Sequence, residues 1–459
     1  MSVLEKRAVN IVEEQLTREQ ARREVVKLAW PAVVEQFLIQ IFGMIDMMMV
    51  GAIGPAAIAA IGLTNQPMLL AMAAFMALNV GTTAVIARAI GAGDLREANE
   101  AARQALVTIT LLGILVTVLL YTFTPQLVKF MGAEEDSFDY AVSYMRVVAL
   151  GLIPQTISMA VTAMLRGAGD TRTPLRFNII ANVINVFGNA VLINGLLGFP
   201  RWGVYGAGLA TSISRLAGCI LSLYAISRGG AALKVSLRGK FRFNPRLIQR
   251  IVRVGLPAML EQVVLRFGVI TYTRIVSGLG TMIYAAHQIG MNIVGLSFTP
   301  GQGFSMAATS LVGRSLGSRR PDRAERYGWE TRYVGMHVAG AMGLIFFFGG
   351  GMIARLYTDD PTVVNMAATC LKIIAIVQLA QSSQFILAGA LRGAGDTKWP
   401  LISTMMGVVG VRVALATLFV RVLNMGLNGA WYAMAIDQFC RSLFIYFRYR
   451  SGRWKELRV

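Results

Sequence analysis

This 459-residue chain has little charge and few residues for metal or redox chemistry. Asp, Glu, Lys and Arg make up 15% of it, with three cysteines and two histidines. Cys219, Cys370 and Cys440 show no CxxC spacing, so neither a disulfide framework nor a thiolate metal site is implied. His287 and His337 stand in separate stretches without a motif, which leaves an intramembrane enzyme of the paired-histidine kind nothing to work with. No phosphate loop, zincin pattern, dinucleotide fingerprint or nucleophile spacing occurs. The expectation is a protein that is not an enzyme and holds no cofactor; any ATP dependence would come from another subunit. Residues 1–28 are charged and lack an apolar core, which argues against a cleavable signal peptide. They are expected to form an amphipathic helix on the cytoplasmic membrane surface. The alternating ten-residue segments of an outer-membrane barrel are missing too.

What the chain has instead is apolar length. Hydrophobic residues make up 55%. Uncharged stretches of about 20 residues recur, each long enough to cross a hydrocarbon core of about 30 Å as a helix. Twelve spans are expected, at 29–50, 56–86, 103–122, 142–165, 176–196, 204–226, 251–276, 284–312, 332–353, 369–391, 399–420 and 427–447. The net charge of +20 could suggest nucleic acid, but its distribution does not. With the N-terminus taken as cytoplasmic, 34 of the 44 Lys and Arg fall in inner segments, five in outer loops and five within spans. Such asymmetry predicts an inner-membrane protein with both termini cytoplasmic, attracted to anionic lipid rather than nucleic acid.

The chain also repeats itself at a shift of 226. Pro31, Glu35 and Gln36 correspond to Pro257, Glu261 and Gln262, and LRGAGDTRTPL at 165–175 corresponds to LRGAGDTKWPL at 391–401. Arg88 and Gly91 match Arg314 and Gly317, and Arg146 matches Lys372. The reading is an all-α polytopic protein of two pseudo-symmetric six-helix lobes. Its segments are a cytoplasmic stretch 1–28, an N-lobe 29–226, a basic linker 227–250, a C-lobe 251–447 and a tail 448–459. An even number of spans per half makes the repeats parallel, and transporters of this kind alternate access by rocking one half against the other.

An ionisable side chain inside a span is a functional candidate by default. Asp46 is the strongest: it sits in the outer half of the first span, and its repeat counterpart is Tyr272. On the fifth span Asn178, Asn182, Asn185 and Asn189 fall within about 60° of one another, a single polar stripe. The other half has Thr404, Val408, Val411 and Leu415 in their place. Amide adhesion between helices would account for such a stripe. A cation site confined to one half accounts for its asymmetry as well. Amide and hydroxyl oxygens around a carboxylate suit Na⁺, and a carboxylate dry enough to take up a proton suits H⁺.

The pattern Pro31, Asp46, Val50, Gly51, Gly54, the Arg88–Asp94 segment and both LRGAGDT segments resemble the MATE multidrug and toxic compound extrusion family, over roughly residues 25–445. The resemblance implies a two-lobe V-shaped fold and export of organic cations in exchange for H⁺ or Na⁺. It places the N-lobe cation site on Asp46, Asn185, Asn189 and Thr211, with Asn182 beside them, and Asp46, Asn185 and Asn189 as candidate Na⁺ ligands. The carboxylates of a second, C-lobe site are replaced by Leu265 and Gln381, so that site is expected to be absent. Candidates for the substrate cavity are Glu35, Glu261, Gln36, Gln262, Gln381, Phe37, Met44 and Met48, methionine because it repacks around varied ligands. The repetition of Glu35 and Glu261 also fits a shared structural task, such as pairing with a basic loop residue. Pro31, lacking a backbone donor, is a candidate hinge. A monomer is expected. Arg215, Arg266 and Arg412, all within spans, keep open a flippase-like alternative with an anionic or lipid-linked substrate.

Overall fold

The computed structural model describes residues 16–133, 135–228, 233 and 242–457. Residues 1–15 of the N-terminal segment and the centre of the linker lie outside them. The first half comprises α1 (Arg18–Gly51), α2 (Pro55–Gly91), α3 (Leu95–Thr122), a bent α4 (Glu135–Leu150 with Leu152–Gly167), α5 (Arg172–Asn194) and α6 (Gly203–Ser227). The second comprises α7 (Pro245–Ser277), α8 (Thr281–Gly317), α9 (Pro321–Arg355), α10 (Pro361–Ala394), α11 (Lys398–Val422) and α12 (Gly426–Arg450). The two parts of α4 meet at 45°, and if they count as one span, ten of the twelve helices are long and apolar enough to cross a membrane. The other two are α8, which carries His287, Gln288 and Asn292, and α12, which carries Asp437, Arg441, Arg448 and Arg450. Both pack among the other helices of the second half.

Several helices extend beyond the expected hydrophobic stretch at the basic-loop end, as α2 does to Gly91 and α8 to Gly317. There the lobes meet, α1 on α8 and α2 on both α7 and α8. The contact obeys the sequence repeat. A Cβ on Gly91 would lie 1.9 Å from the Arg314 carbonyl oxygen, and one on Gly317 would lie 2.1 Å from that of Arg88, the same contact with the halves exchanged. Only glycine allows backbones so close. The seal reaches inward to Gly255 against Ala77 and Gly303 against Val33. Towards the opposite end these helices expose side chains, with Leu70 of α2 67% and Met48 of α1 75% accessible. The lobes are therefore closed at the basic end and flank a cleft at the other.

Residues 18–28 depart from the surface helix expected of them. Thr17 and Gln20 form a reciprocal capping box that starts α1 at Arg18, and the helix runs through Pro31 without interruption. Ala21, Val25 and Leu28 continue the apolar stripe and enter a core with Phe304, Ala307 and Leu311 of α8 and Tyr449 of α12. Arg22 holds Glu330 of α9 at 2.6 Å. The start of α1 thus belongs by contact to the C-lobe and its remainder to the N-lobe, with Pro31 near the changeover. The tail also docks: Trp454 stacks on Tyr449 at 4.7 Å, and Arg88 donates to the Leu457 carbonyl at 2.6 Å.

Candidate coupling site and inter-lobe cleft

Helices α1 and α5 lie side by side in one constant register. Glu35 accepts from Asn178 at 2.6 Å, and Asp46 accepts from Asn189; each pair is separated by 143 residues. Eleven residues make about three turns and ~16 Å of helix, so the two carboxylates stack on one face as two rungs. The lower rung is completed by Arg166, 2.8 Å from Glu35. In the C-lobe Glu261 receives Arg392 at 2.7 Å and Thr404, again 143 residues on, at 3.3 Å. Both arginines come from the LRGAGDT segments, so these loops hold a carboxylate of the first helix of each lobe. Glu35 and Glu261 are 2% and 5% exposed and turn into their own lobes. They are not free anions of a substrate cavity, because burial of a carboxylate demands this pairing.

The upper rung exists in one lobe only. Asn189 is fully buried, and its side-chain carbonyl oxygen has no hydrogen-bond partner among the described residues. Asn185 donates to Thr211 of α6 at 3.3 Å, and Thr211 donates to the Ala207 carbonyl at 2.9 Å. Asn182 donates to the backbone of Asn178 at 2.7 Å and takes no part in the rung. Asp46, Asn185, Asn189 and Thr211 therefore gather where α1, α5 and α6 meet. The set offers a carboxylate, amide oxygens and a hydroxyl, one of the oxygens buried and unpaired, and such donors fit a small hard cation or a proton. Arg215 of α6, which the sequence could not place, donates to the Val148 carbonyl at 3.1 Å and lies within electrostatic reach of Asp46. No sequence motif marks that neighbourhood; it follows from the packing of α4 on α6.

At the corresponding place in the C-lobe stands Tyr272, buried and donating to the Ala430 carbonyl at 3.0 Å. The polarity here sits further around the bundle. Asp437 of α12 is held by Arg412 at 2.6 Å and by Arg441 at 2.9 Å, all three buried. One of these pairs is an i,i+4 pair within α12; the other depends on α11. That helix widens into π-helical turns over Met405–Arg412 and Leu418–Val422. Gly407 sits so close to α12 that a Cβ would be 2.3 Å from an Asp437 carboxylate oxygen. Gln381, expected in the cavity, is instead buried within the C-lobe beside a narrow crevice that Gln378 and Ser297 also line.

Helical phase identifies what faces the cleft. At ~100° per residue, Phe37, Gln40, Met44 and Met48 of α1 lie within about 60° of Val33, the residue that touches the other lobe. Asp46 and Glu35 lie on the far side of the same helix. On α7 Gln262 and Arg266 lie within about 60° of Ile251, which packs against Gly81. Gln36 falls at the edge of the α1 face. The expected cavity methionines, Phe37 and Gln262 are thus on the cleft side, and the two glutamates and Gln381 are not.

A duplicated bundle of membrane-crossing helices, sealed at one end, split at the other and carrying a polar site within one lobe only, has the architecture of a membrane transporter. The chain belongs to the MatE family, which it matches at residues 31–191 and again at 257–418, two stretches 226 residues apart. It is 32% identical over 448 residues to a probable multidrug resistance protein NorM of Thermotoga maritima, covering 95% of this chain and 94% of that one. It is 26% identical over 427 residues to an uncharacterized transporter, YisQ, of Bacillus subtilis, covering 93% and 94%. Among solved structures, an outward-facing multidrug resistance MATE family transporter superposes with a TM-score of 0.88 at 22% identity, covering 94% of this chain and 97% of that one.

Proposed function

We propose that this protein is a secondary-active antiporter that exports amphipathic organic compounds in exchange for H⁺ or Na⁺, the ion acting at Asp46. The observation that carries this reading is the one-sided rung: of two duplicated bundles, one alone joins a carboxylate to a buried asparagine at this level. Asn185, Asn189 and Thr211 supply the remaining oxygens, and Asn182 supports the stripe from below. Because Asp46 points into the N-lobe while the cleft lies on the other side of α1, ion and substrate occupy different places. Their exchange then requires that each favour a different conformation.

In this scheme the basic end is cytoplasmic, by the distribution of Lys and Arg. The sealed form is then outward-open, in the inner membrane of a prokaryote, with both termini inside. An ion arriving from outside binds Asp46 and alters the packing of α1 on α5. Pro31, near the point where α1 passes from one lobe to the other, is the position where the helix can bend. The lobes rock, the seal opens, and the ion leaves inside. The chain works as a monomer without a cofactor, since each lobe completes the seal of the other. Organic cations, the substrates expected from the family resemblance, lose two proposed anchors because Glu35 and Glu261 are taken by arginines. The cleft faces retain methionine, phenylalanine and glutamine for apolar and polar contact.

The test is dye efflux from proteoliposomes with a pH gradient and a Na⁺ gradient imposed separately. One gradient should drive efflux in the wild type and fail to do so in Asp46→Asn. Wild-type rates in that variant would end the proposal.

A further inference from the structure

Of the charged groups deep in the helices, two have no partner among the described residues, Lys372 towards one end of α10 and Arg266 near the middle of α7. Glu35, Glu261 and Asp437 are in ion pairs, Asp46 is hydrogen bonded to Asn189, and Arg215 is bonded to a backbone carbonyl. Arg266 is exposed and has no hydrogen bond, ion pair or ring contact among the described residues. It stands eleven residues beyond the seal at Gly255, ~16 Å along α7, in the middle of the span. On the cleft-side faces of α1, α2, α7 and α8 beyond the seal, it is the one charged side chain among the described residues. No carboxylate faces it there. Its mate in the repeat, Gln40, occupies the same place on the α1 face and is also exposed, so the two walls oppose an amide to a guanidinium.

An unpaired guanidinium at mid-span costs several kcal/mol against lipid and is tolerated where it borders water or meets an anion. Its planar fork of donors matches a carboxylate or phosphate in two-point contact. Resting on the reading of the cleft as the substrate path, we propose that Arg266 recognises an anionic group of the substrate. The cleft then takes amphiphiles that combine an apolar body, lying on Met44, Met48 and Leu70, with a carboxylate, sulfonate or phosphate. A permanently cationic compound without such a group meets an uncompensated positive charge. Gln40 completes the polar contact from the opposite lobe, so the anion bridges the two walls only while the cleft is narrow enough for both to reach it.

The test compares one rhodamine carrying a free carboxylate with its ethyl ester, which has the same ring system and a net positive charge. Binding to purified protein in detergent is read by fluorescence polarisation, with no ion gradient. The wild type should favour the carboxylate by about tenfold, the size of one charge-assisted contact. Arg266→Gln should bring the two within about twofold, Arg266→Lys should keep part of the preference, and Arg266→Glu should invert it. Equal affinities in the wild type, or a preference for the ester, would overturn the proposal without need of any variant. So would a carboxylate preference that Arg266→Gln leaves intact. An anionic lipid headgroup offers the same chemistry. Dithionite quenching of fluorescent phosphatidylglycerol in proteoliposomes distinguishes the two sources, and lipid movement that depends on Arg266 would support the same recognition with lipid as its object. The preference should persist in Asp46→Asn. Its loss at Arg266 with coupling intact, or its survival with coupling abolished, tells this inference apart from the antiport reading.

Discussion

The two lobes share a backbone plan and one buried ion pair, and differ in what stands three turns further along the first helix of each. In the N-lobe that place holds Asp46 with Asn189. In the C-lobe it holds Tyr272, and charge is gathered instead into Arg412, Asp437 and Arg441. The C-lobe cluster is fully partnered and buried, so nothing in it is left to receive an ion. The N-lobe site keeps an unpaired amide oxygen beside a partly accessible carboxylate. Of the two duplicated scaffolds, one thus holds a paired charged cluster and the other the carboxylate–amide site proposed to take up the ion.

Four pairs of substitutions would break or sharpen that contrast. The largest effect is expected for Asp437→Asn, which leaves two buried arginines facing each other without a counter-charge. A stability loss of about 3–5 kcal/mol should appear in thermal unfolding in detergent. Asp46→Asn, its N-lobe counterpart in the comparison, should change stability by under ~1 kcal/mol while removing coupling, since an amide can still bond to Asn189. If both variants unfold alike, the lobes do not differ as described.

Next come Gly91→Val and Gly317→Val at the reciprocal backbone contacts of the seal. Each should destabilise the closed basic end by about 1–3 kcal/mol, and the pair should be less than additive because either one already parts the lobes. Labelling of a cysteine placed at Ala87, buried beside Gly313, should speed up in both. Glu35→Gln and Glu261→Gln remove equivalent rungs and should each cost about 1–3 kcal/mol, matching within ~1 kcal/mol. A large inequality in unfolding midpoints would show that the lower rung is not symmetric. The smallest effect is expected for Asn185→Ala, about 1 kcal/mol of stability with a weakened ion dependence, against no change in ion dependence for Val411→Ala at the repeat position.

Much of this was legible before any coordinates. Apolar runs of membrane-crossing length give the helices, because backbone groups in lipid must bond within their own segment. The shift of 226 gives two like lobes, and the absence of a carboxylate at Tyr272 marks Asp46 as unlike a scaffold residue. The repeated glutamates suggested a basic loop partner, which the LRGAGDT arginines provide. What the chain alone could not give was direction around each helix relative to its neighbours. Glu35 and Met44 are both cavity candidates on paper, yet α1 turns one into the N-lobe and the other to the cleft. Residues 18–28 read as a surface helix because their charges are counted one by one, whereas their apolar stripe is used only once α8 and α12 stand against it. Arg412 and Asp437, 25 residues apart, meet only because α11 widens beside Gly407, and Arg266 is left without a partner only because of how the lobes close. Periodicity and charge are properties of one strand of sequence; contact between helices depends on the shapes of both, and packing alone decides it.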